Sequence, residues 1–177
     1  MTSYKICNRC IMDTTDPDIV FDQDGNCNHC TNALTKIELY KRDFSEKNQK
    51  LEALVESIKS KGKGKQYDCI IGVSGGVDST YVAYQVKKMG LRPLAVHLDN
   101  GWNSELAVSN IEKTLKNLDI ELFTFVIDWE EFKDLQLSFL KASTPDSEVP
   151  TDHAIIAILY RLAAKFNIEY ILNGVNV

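Results

Sequence analysis

The chain has 177 residues, 44% of them hydrophobic and 25% charged, proportions of a soluble globular protein with room for one core and a small appendage. A net charge of −5 disfavours broad electrostatic binding of nucleic acid, and no apolar run nears the roughly 20 residues a membrane span needs. The polar start Met1-Thr2-Ser3-Tyr4-Lys5 is unlike a signal peptide, so the expected compartment is the cytoplasm, where paired cysteines hold metals more often than they form disulfides.

Four of the five cysteines form two C-x-x-C turns, Cys7-Asn8-Arg9-Cys10 and Cys27-Asn28-His29-Cys30, sixteen residues apart. Each turn can aim two thiolates at one ion, and the turn formers Asp16-Pro17 and Asp24-Gly25 allow the intervening segment to fold back. Four sulfur ligands close a tetrahedron. The spacing matches a structural Zn²⁺ ribbon over residues 1–32, with iron as the alternative metal and unbound thiols as the bland reading. His29 reads as a solvated knuckle residue, and Cys69 as a small buried core residue.

Residues 33–64 read as a charged helical linker. Leu51, Leu54, Val55 and Ile58 form a stripe at i, i+3, i+4, i+7 that calls for a packing partner, and Lys61-Gly62-Lys63-Gly64-Lys65 reads as a flexible basic link.

From residue 65 a strand, turn and helix pattern begins. Tyr67 to Val73 is a short apolar, β-branched run, expected to be a buried strand, and Ser74-Gly75-Gly76 breaks it at once. Tyr81, Val82, Val86 and Met89 then recur at helical spacing, with Gly90 as the expected C′ residue. A strand, a glycine turn and a helix N-terminus together make an anion site of unpaired N–H groups, with the hydroxyls of Ser74 and Ser79 as added donors. Asp78 repels phosphate unless a cation, usually Mg²⁺, stands between them.

The hexapeptide Ser74-Gly75-Gly76-Val77-Asp78-Ser79 resembles the pyrophosphate loop of the N-type ATP pyrophosphatases. That resemblance implies that these six residues bind the pyrophosphate end of ATP while a substrate oxygen attacks the α-phosphorus. It makes Ser74 and Asp78 candidate catalytic residues, with Asp78 on Mg²⁺. It also implies that the main chain of Val96 and Leu98, at the end of the next strand, reads adenine.

That second strand, Arg92 to Leu98, runs into Asp99-Asn100-Gly101-Trp102-Asn103. Asp99, Asn100 and Trp102 are candidates for a nucleotide or sugar pocket, with an ordinary turn as the competing reading. A helix capped by Asn103 or Ser104 follows, then a strand over Glu121–Ile127 and a helix over Glu130–Leu140. The alternation predicts a doubly wound parallel α/β sheet, with ligands beyond the carboxyl ends of its strands. Thr151 reads as an N-cap and Asp152 as a favourable first-turn acid of a helix whose core stripe is Ile155, Ile158, Leu159, Leu162 and Phe166. Tyr170-Ile171-Leu172 is the last strand, and Asn173 to Asn176 should join the polar rim. The resemblance turns Asn173 and Gly174 toward ATP.

Residues 4–17, Phe21-Asp22, Gly25 to Cys30, His97 to Asn103 and Pro150-Thr151-Asp152-His153 together resemble the N-acetyl sugar amidotransferases of bacterial surface-polysaccharide and related sugar biosynthesis. These carry a cysteine ribbon ahead of a pyrophosphate-loop domain. The resemblance implies an ATP-dependent, AMP-forming enzyme that adenylates the acetamido carbonyl of an N-acetyl sugar and uses ammonia to form an acetamidino group. It places Asp152 and His153 near the substrate, His153 as a proton-transfer group or contact. It further implies a separate glutamine amidotransferase subunit as ammonia source, and a chain that stops short of the family's length. A tRNA sulfurtransferase with the same loop, or a non-catalytic zinc-ribbon module, are the alternatives.

Overall fold

The structure is a computed structural model that describes residues 3–42 and 44–174. Val175 and Asn176, expected on the polar rim, lie outside the described residues, as does Val177. The chain divides into two compact units, Met1–Ala53 and Leu54–Val177. No helix among the described residues is long and apolar enough to cross a membrane.

In the first unit two small antiparallel bridges, Ile6 with Asp13 and Phe21 with Cys27, form the expected fold-back. Aspartates close its turns: Asp13 Oδ1 accepts from the Thr15 N–H at 2.8 Å, and Asp22 Oδ1 from the N–H groups of Asp24 and Asn26 at 2.9 and 2.8 Å. Helix α1 (Asn28–Arg42) begins inside the second cysteine turn, and α2 (Phe44–Gly62) follows it.

The second unit is built on four parallel strands, β1 (Cys69–Gly72), β2 (Pro93–Asp99), β3 (Glu121–Val126) and β4 (Ile171–Leu172), in the order β3-β2-β1-β4. Helices α3 (Val77–Lys88), α4 (Glu105–Leu118), α5 (Trp129–Lys141) and α6 (Val149–Lys165) connect them. The sheet grows from β1 through β2 to β3 and then reverses to place β4 on the other side of β1. The β1 tip is therefore the switch point at which such sheets bind ligands.

Strand alternation sends side chains to two apolar layers. On one face Ile71 and Ala95 pack with Ile58 of α2, Val86 of α3, and Ile111 and Leu115 of α4. On the other, Ile70, Leu94 and Val96 pack against Ile158, Leu159 and Leu162 of α6, which confirms that helix's expected core stripe. Each fully buried aliphatic side chain, such as Ile70 or Ile71, contributes about 1.5–3 kcal/mol. Only half of the α2 stripe is used: Val55 and Ile58 are buried, while Leu51 and Leu54 are exposed.

Two expectations need correction. The basic segment 61–65 is not a flexible link: α2 runs through Gly62, and the carbonyls of Gly62 and Lys65 accept from the Arg92 guanidinium at 2.9 and 2.7 Å. Lys61 and Lys65 pair with Glu169 at 3.0 and 3.6 Å. Nor does Thr151 cap a helix. Helix α6 starts two residues earlier, with Glu148 at its N-cap and Pro150 in its first turn, where the missing N–H has no cost. The other caps follow the sequence: Ser104 Oγ accepts from the Ala107 N–H at 3.1 Å, and Gly90 adopts φ +76° just beyond the end of α3.

Candidate functional site

The loop after β1 is shaped by its two glycines in different ways. Gly75 has φ +78°, and a Cβ there would overlap the main chain of Ala107 in α4, so backbone sign and helix packing both demand glycine. At Gly76 (φ −80°) a Cβ would meet only Ser74 Oγ, at 3.4 Å. Gly76, not Gly75, is the glycine that keeps the exposed side of the loop open to close approach.

Gly76 is also the N-cap of α3, and no side chain caps this helix. The first helical bond runs from the Thr80 N–H to the Gly76 carbonyl at 3.1 Å, so the N–H groups of Val77, Asp78 and Ser79 precede the internal ladder at the positive end of the dipole. The serine hydroxyls are engaged within the loop. Ser79 Oγ donates to the Gly76 carbonyl at 3.2 Å and accepts from the Ser74 N–H at 3.2 Å, while Ser74 Oγ lies 3.3 Å from it and accepts from the Gly76 N–H at 3.4 Å. What the loop presents outward is therefore main-chain N–H. Asp78 is exposed beside these groups, and its carboxylate has no hydrogen bond or ion pair among the described residues. A carboxylate next to an anion cradle, with no basic partner, fits a divalent cation held between the two.

Next to the loop a cavity of about 320 Å³ opens at the tips of β1, β2 and β4, lined by Ser74, Val96, Leu98, Asn100, Thr151 and Asn173, with Ile155 and Leu159 from α6. The structure thus brings Val96, Leu98 and Asn173 together with the loop's first residue. Gly174 lies against the start of α3, where a Cβ would stand 3.0 Å from Val82 Cγ2 and 3.3 Å from the Asp78 carbonyl. Buried His97 ties the strand ends together, its Nδ1 donating to the Val73 carbonyl at 3.0 Å.

Of Asp99, Asn100, Trp102, Asp152 and His153, only Asn100 lines that cavity. Asp99 closes its own turn, Oδ1 accepting from the Gly101 N–H and from Asn103 Nδ2, both at 3.1 Å. Asn100 is buried and accepts from the Trp102 N–H at 3.2 Å. Trp102 is 66% exposed yet held in place, its Nε1 donating to Gln136 Oε1 at 2.7 Å and its ring meeting Trp129 edge-on at 5.5 Å. It lines a groove of about 490 Å³ with Lys133 and Glu148. Asp152 and His153 are exposed on α6 and do not line the cavity shared by Ser74 and Val96. His153 instead borders a larger apolar cavity of about 580 Å³ between α5 and α6.

Sequence reasoning reads Thr151 as a cap within a segment that resembles a substrate site and gives His97 no role of its own, yet both line the strand-tip cavity. Pro150 was the available signal for Thr151, since a proline in the first turn puts the next residue inside the helix.

In the first unit, the Sγ atoms of Cys7, Cys10, Cys27 and Cys30 lie within 4.8 Å of one another. Cys7 and Cys30 are 3.9 Å apart and Cys10 and Cys27 3.6 Å. A tetrahedron with Zn–S bonds of about 2.3 Å has edges of roughly 3.8 Å, whereas a disulfide needs about 2.05 Å. Burial raises the Cys7 thiol, but N–H groups of Arg9, Cys10 and Cys27 directed at its sulfur lower it to about 6. Cys30, hydrogen-bonded first of all to Cys10, is pushed up to about 12. The donor set and its spacing fit one zinc ion. His29 is not part of it, since its Nε2 pairs with Asp16 Oδ2 at 2.7 Å.

The model of the NAD synthase family matches residues 48–168, more than half of the chain. The chain belongs to the NAD synthase family. This NAD synthase family chain is 41% identical over 70 residues to a glutamine-hydrolyzing GMP synthase of Pyrobaculum aerophilum, covering 39% of the chain and 14% of that protein. It is 27% identical over 113 residues to a tRNA-specific 2-thiouridylase of Fusobacterium nucleatum, covering 59% of the chain and 32% of the relative. The chain therefore spans less than a third of either curated relative. Among solved structures it resembles the glutamine-dependent NAD⁺ synthetase of Acinetobacter baumannii in complex with ADP, at 18% identity and a TM-score of 0.52, over 66% of this chain and 23% of that one. This last likeness shows the fold, a parallel α/β sheet.

Proposed function

We propose that the NAD synthase family chain binds Mg·ATP on the Ser74–Ser79 loop and belongs to an AMP-forming amidotransferase that acts on an acetamido sugar. The observation that carries the ATP reading is the uncapped N-terminus of α3 at the switch point of the sheet, flanked by Asp78 and by the cavity at the strand tips.

The amides of Val77, Asp78 and Ser79 bind and orient the phosphates, and Leu98 offers main-chain groups to the base, beyond the point where the Val96 carbonyl accepts from the Val73 N–H at 2.9 Å. Asp78 would hold Mg²⁺, whose charge would stabilise the departing pyrophosphate. The acetamido oxygen attacks the α-phosphorus, pyrophosphate leaves, and ammonia then displaces AMP to give the acetamidino group. No protein nucleophile is needed.

The sugar reading is supported by the order of the motifs, a four-cysteine ribbon ahead of the loop, and by Trp102. An exposed indole held by Gln136 and Trp129 offers a fixed apolar face beside polar side chains, suited to a sugar ring. A glutamine amidotransferase subunit is the proposed ammonia source.

The likeness to the 2-thiouridylase favours tRNA thiolation as the second reading. Against it, Cys69 is fully buried, and burial, with the Asp68 charge, pushes its thiol up to about 12, so it cannot carry sulfur. The other four cysteines are grouped as metal ligands.

The test is mass spectrometry of products from ATP, ammonium and a panel of UDP-linked acetamido sugars incubated with the protein. A product one mass unit lighter than the sugar, formed with AMP, supports the proposal. ATP turnover dependent on tRNA would replace it with the second reading.

A further inference from the structure

We propose that Thr151 is a specificity-determining residue of the strand-tip cavity, its hydroxyl hydrogen-bonding the nucleoside end of the bound nucleotide. The inference rests on the ATP reading of the loop and adds a residue that neither the loop motif nor a capping role accounts for.

Three observations lead to it. First, α6 begins at Val149, so Thr151 stands within its first turn and has no capping duty. Second, the residue is only 9% exposed, and its Oγ1 is fully buried without a hydrogen-bond partner, the only such side-chain atom among the described residues. A threonine inside a helix ordinarily bonds back to a carbonyl one turn earlier, and a buried hydroxyl left unpaired lowers stability. Valine has nearly the same shape without that penalty. The fold itself gives this hydroxyl no partner, which leaves it available to a group bound beside it.

Third, Thr151 lines the cavity whose walls are Val96, Leu98, Ile155 and Leu159. Ser74 belongs both to this cavity and to the phosphate cradle. A nucleotide with its phosphates on the α3 N-terminus therefore extends its nucleoside end between those apolar walls. A hydroxyl that both donates and accepts can pair there with a ring nitrogen, an exocyclic amine or a ribose hydroxyl. The cavity is otherwise apolar along α6, so this one contact fixes how deep the nucleoside sits.

The experiment separates the two ends of the ligand. Binding of AMP and of Mg²⁺-pyrophosphate is measured by isothermal titration calorimetry for the wild-type chain, Thr151→Val and Thr151→Ser. Thr151→Val should weaken AMP by about three- to tenfold, the effect of one hydrogen bond, and leave pyrophosphate unchanged. Its thermal midpoint should equal or exceed that of the wild type, and Thr151→Ser should bind AMP nearly as the wild type does. Equal AMP affinity in Thr151→Val overturns the inference and leaves the ATP reading standing. A parallel loss of AMP and pyrophosphate also overturns it, as a disturbance of the fold. If the wild type binds neither ligand nor Mg·ATP, the ATP reading itself fails, and the inference with it.

Discussion

The guanidinium of Arg92 grips the buried Asp68 carboxylate at two points, Nη2 to Oδ1 at 2.6 Å and Nε to Oδ2 at 3.2 Å, while the Arg92 main-chain N–H donates to Oδ2 at 2.8 Å. The same guanidinium donates to the Gly62 and Lys65 carbonyls, so one side chain closes the end of α2 onto the starts of β1 and β2. The pair stands at the amino ends of the strands, opposite the loop.

Removing the cation leaves a nearly inaccessible carboxylate without its partner. Arg92→Ala should cost about 3 kcal/mol in urea unfolding, at the low end for a broken buried pair because the Arg92 side chain is itself 52% exposed. Mg·ATP affinity measured well below the midpoint should be unchanged. A loss under 1 kcal/mol would show that the bridge is not what holds this corner.

The four thiolates should bind one zinc ion per chain. Metal analysis of the purified protein should give a zinc ratio near one, falling toward zero in Cys10→Ser and Cys27→Ser. A ratio of iron near one in the wild type would reassign the metal. An intact Cys10–Cys27 disulfide on mass analysis of the non-reduced protein would contradict the 3.6 Å sulfur separation.

Gly75 and Gly76 should respond oppositely to a single methyl. Gly75→Ala meets a positive φ and the Ala107 main chain, so it should destabilise the fold by about 1–3 kcal/mol and displace the loop from α4. Gly76→Ala should leave the thermal midpoint within a degree or two, because its methyl has space, yet weaken Mg·ATP binding by filling the outer side of the cradle. Equal melting temperatures for the two variants would overturn this division of roles.

Asp78→Asn keeps the shape of the side chain and removes its charge. AMP formation should fall on the order of 100-fold, with partial recovery at high Mg²⁺. Stopped-assay measurement across a Mg²⁺ series checks this, and a wild-type dependence on Mg²⁺ in the variant would remove Asp78 from metal binding.

Much of the molecule was legible from short stretches of chain. A β-branched run ending in Ser74-Gly75-Gly76 and followed by a helical stripe specifies strand, turn and helix locally, because turn chemistry and side-chain periodicity act over a few residues. The C-x-x-C turns, the Ser104 cap and the α6 core stripe were readable for the same reason. Segment 61–65 reads as flexible because lysines and glycines mark solvated links unless a distant group docks on them, and here Arg92 supplies that group.

What the sequence determined by itself is the set of elements, the anion-binding turn and the cysteine spacing. Only the tertiary structure decided that β4 returns beside β1, that Gly75 is held by α4 while Gly76 stays open, that His153 borders a cavity apart from Ser74, and that Thr151 keeps a buried hydroxyl without a partner. Those outcomes depend on contacts between residues tens of positions apart, whose energies come from packing and burial rather than from any preference a residue expresses among its neighbours in sequence.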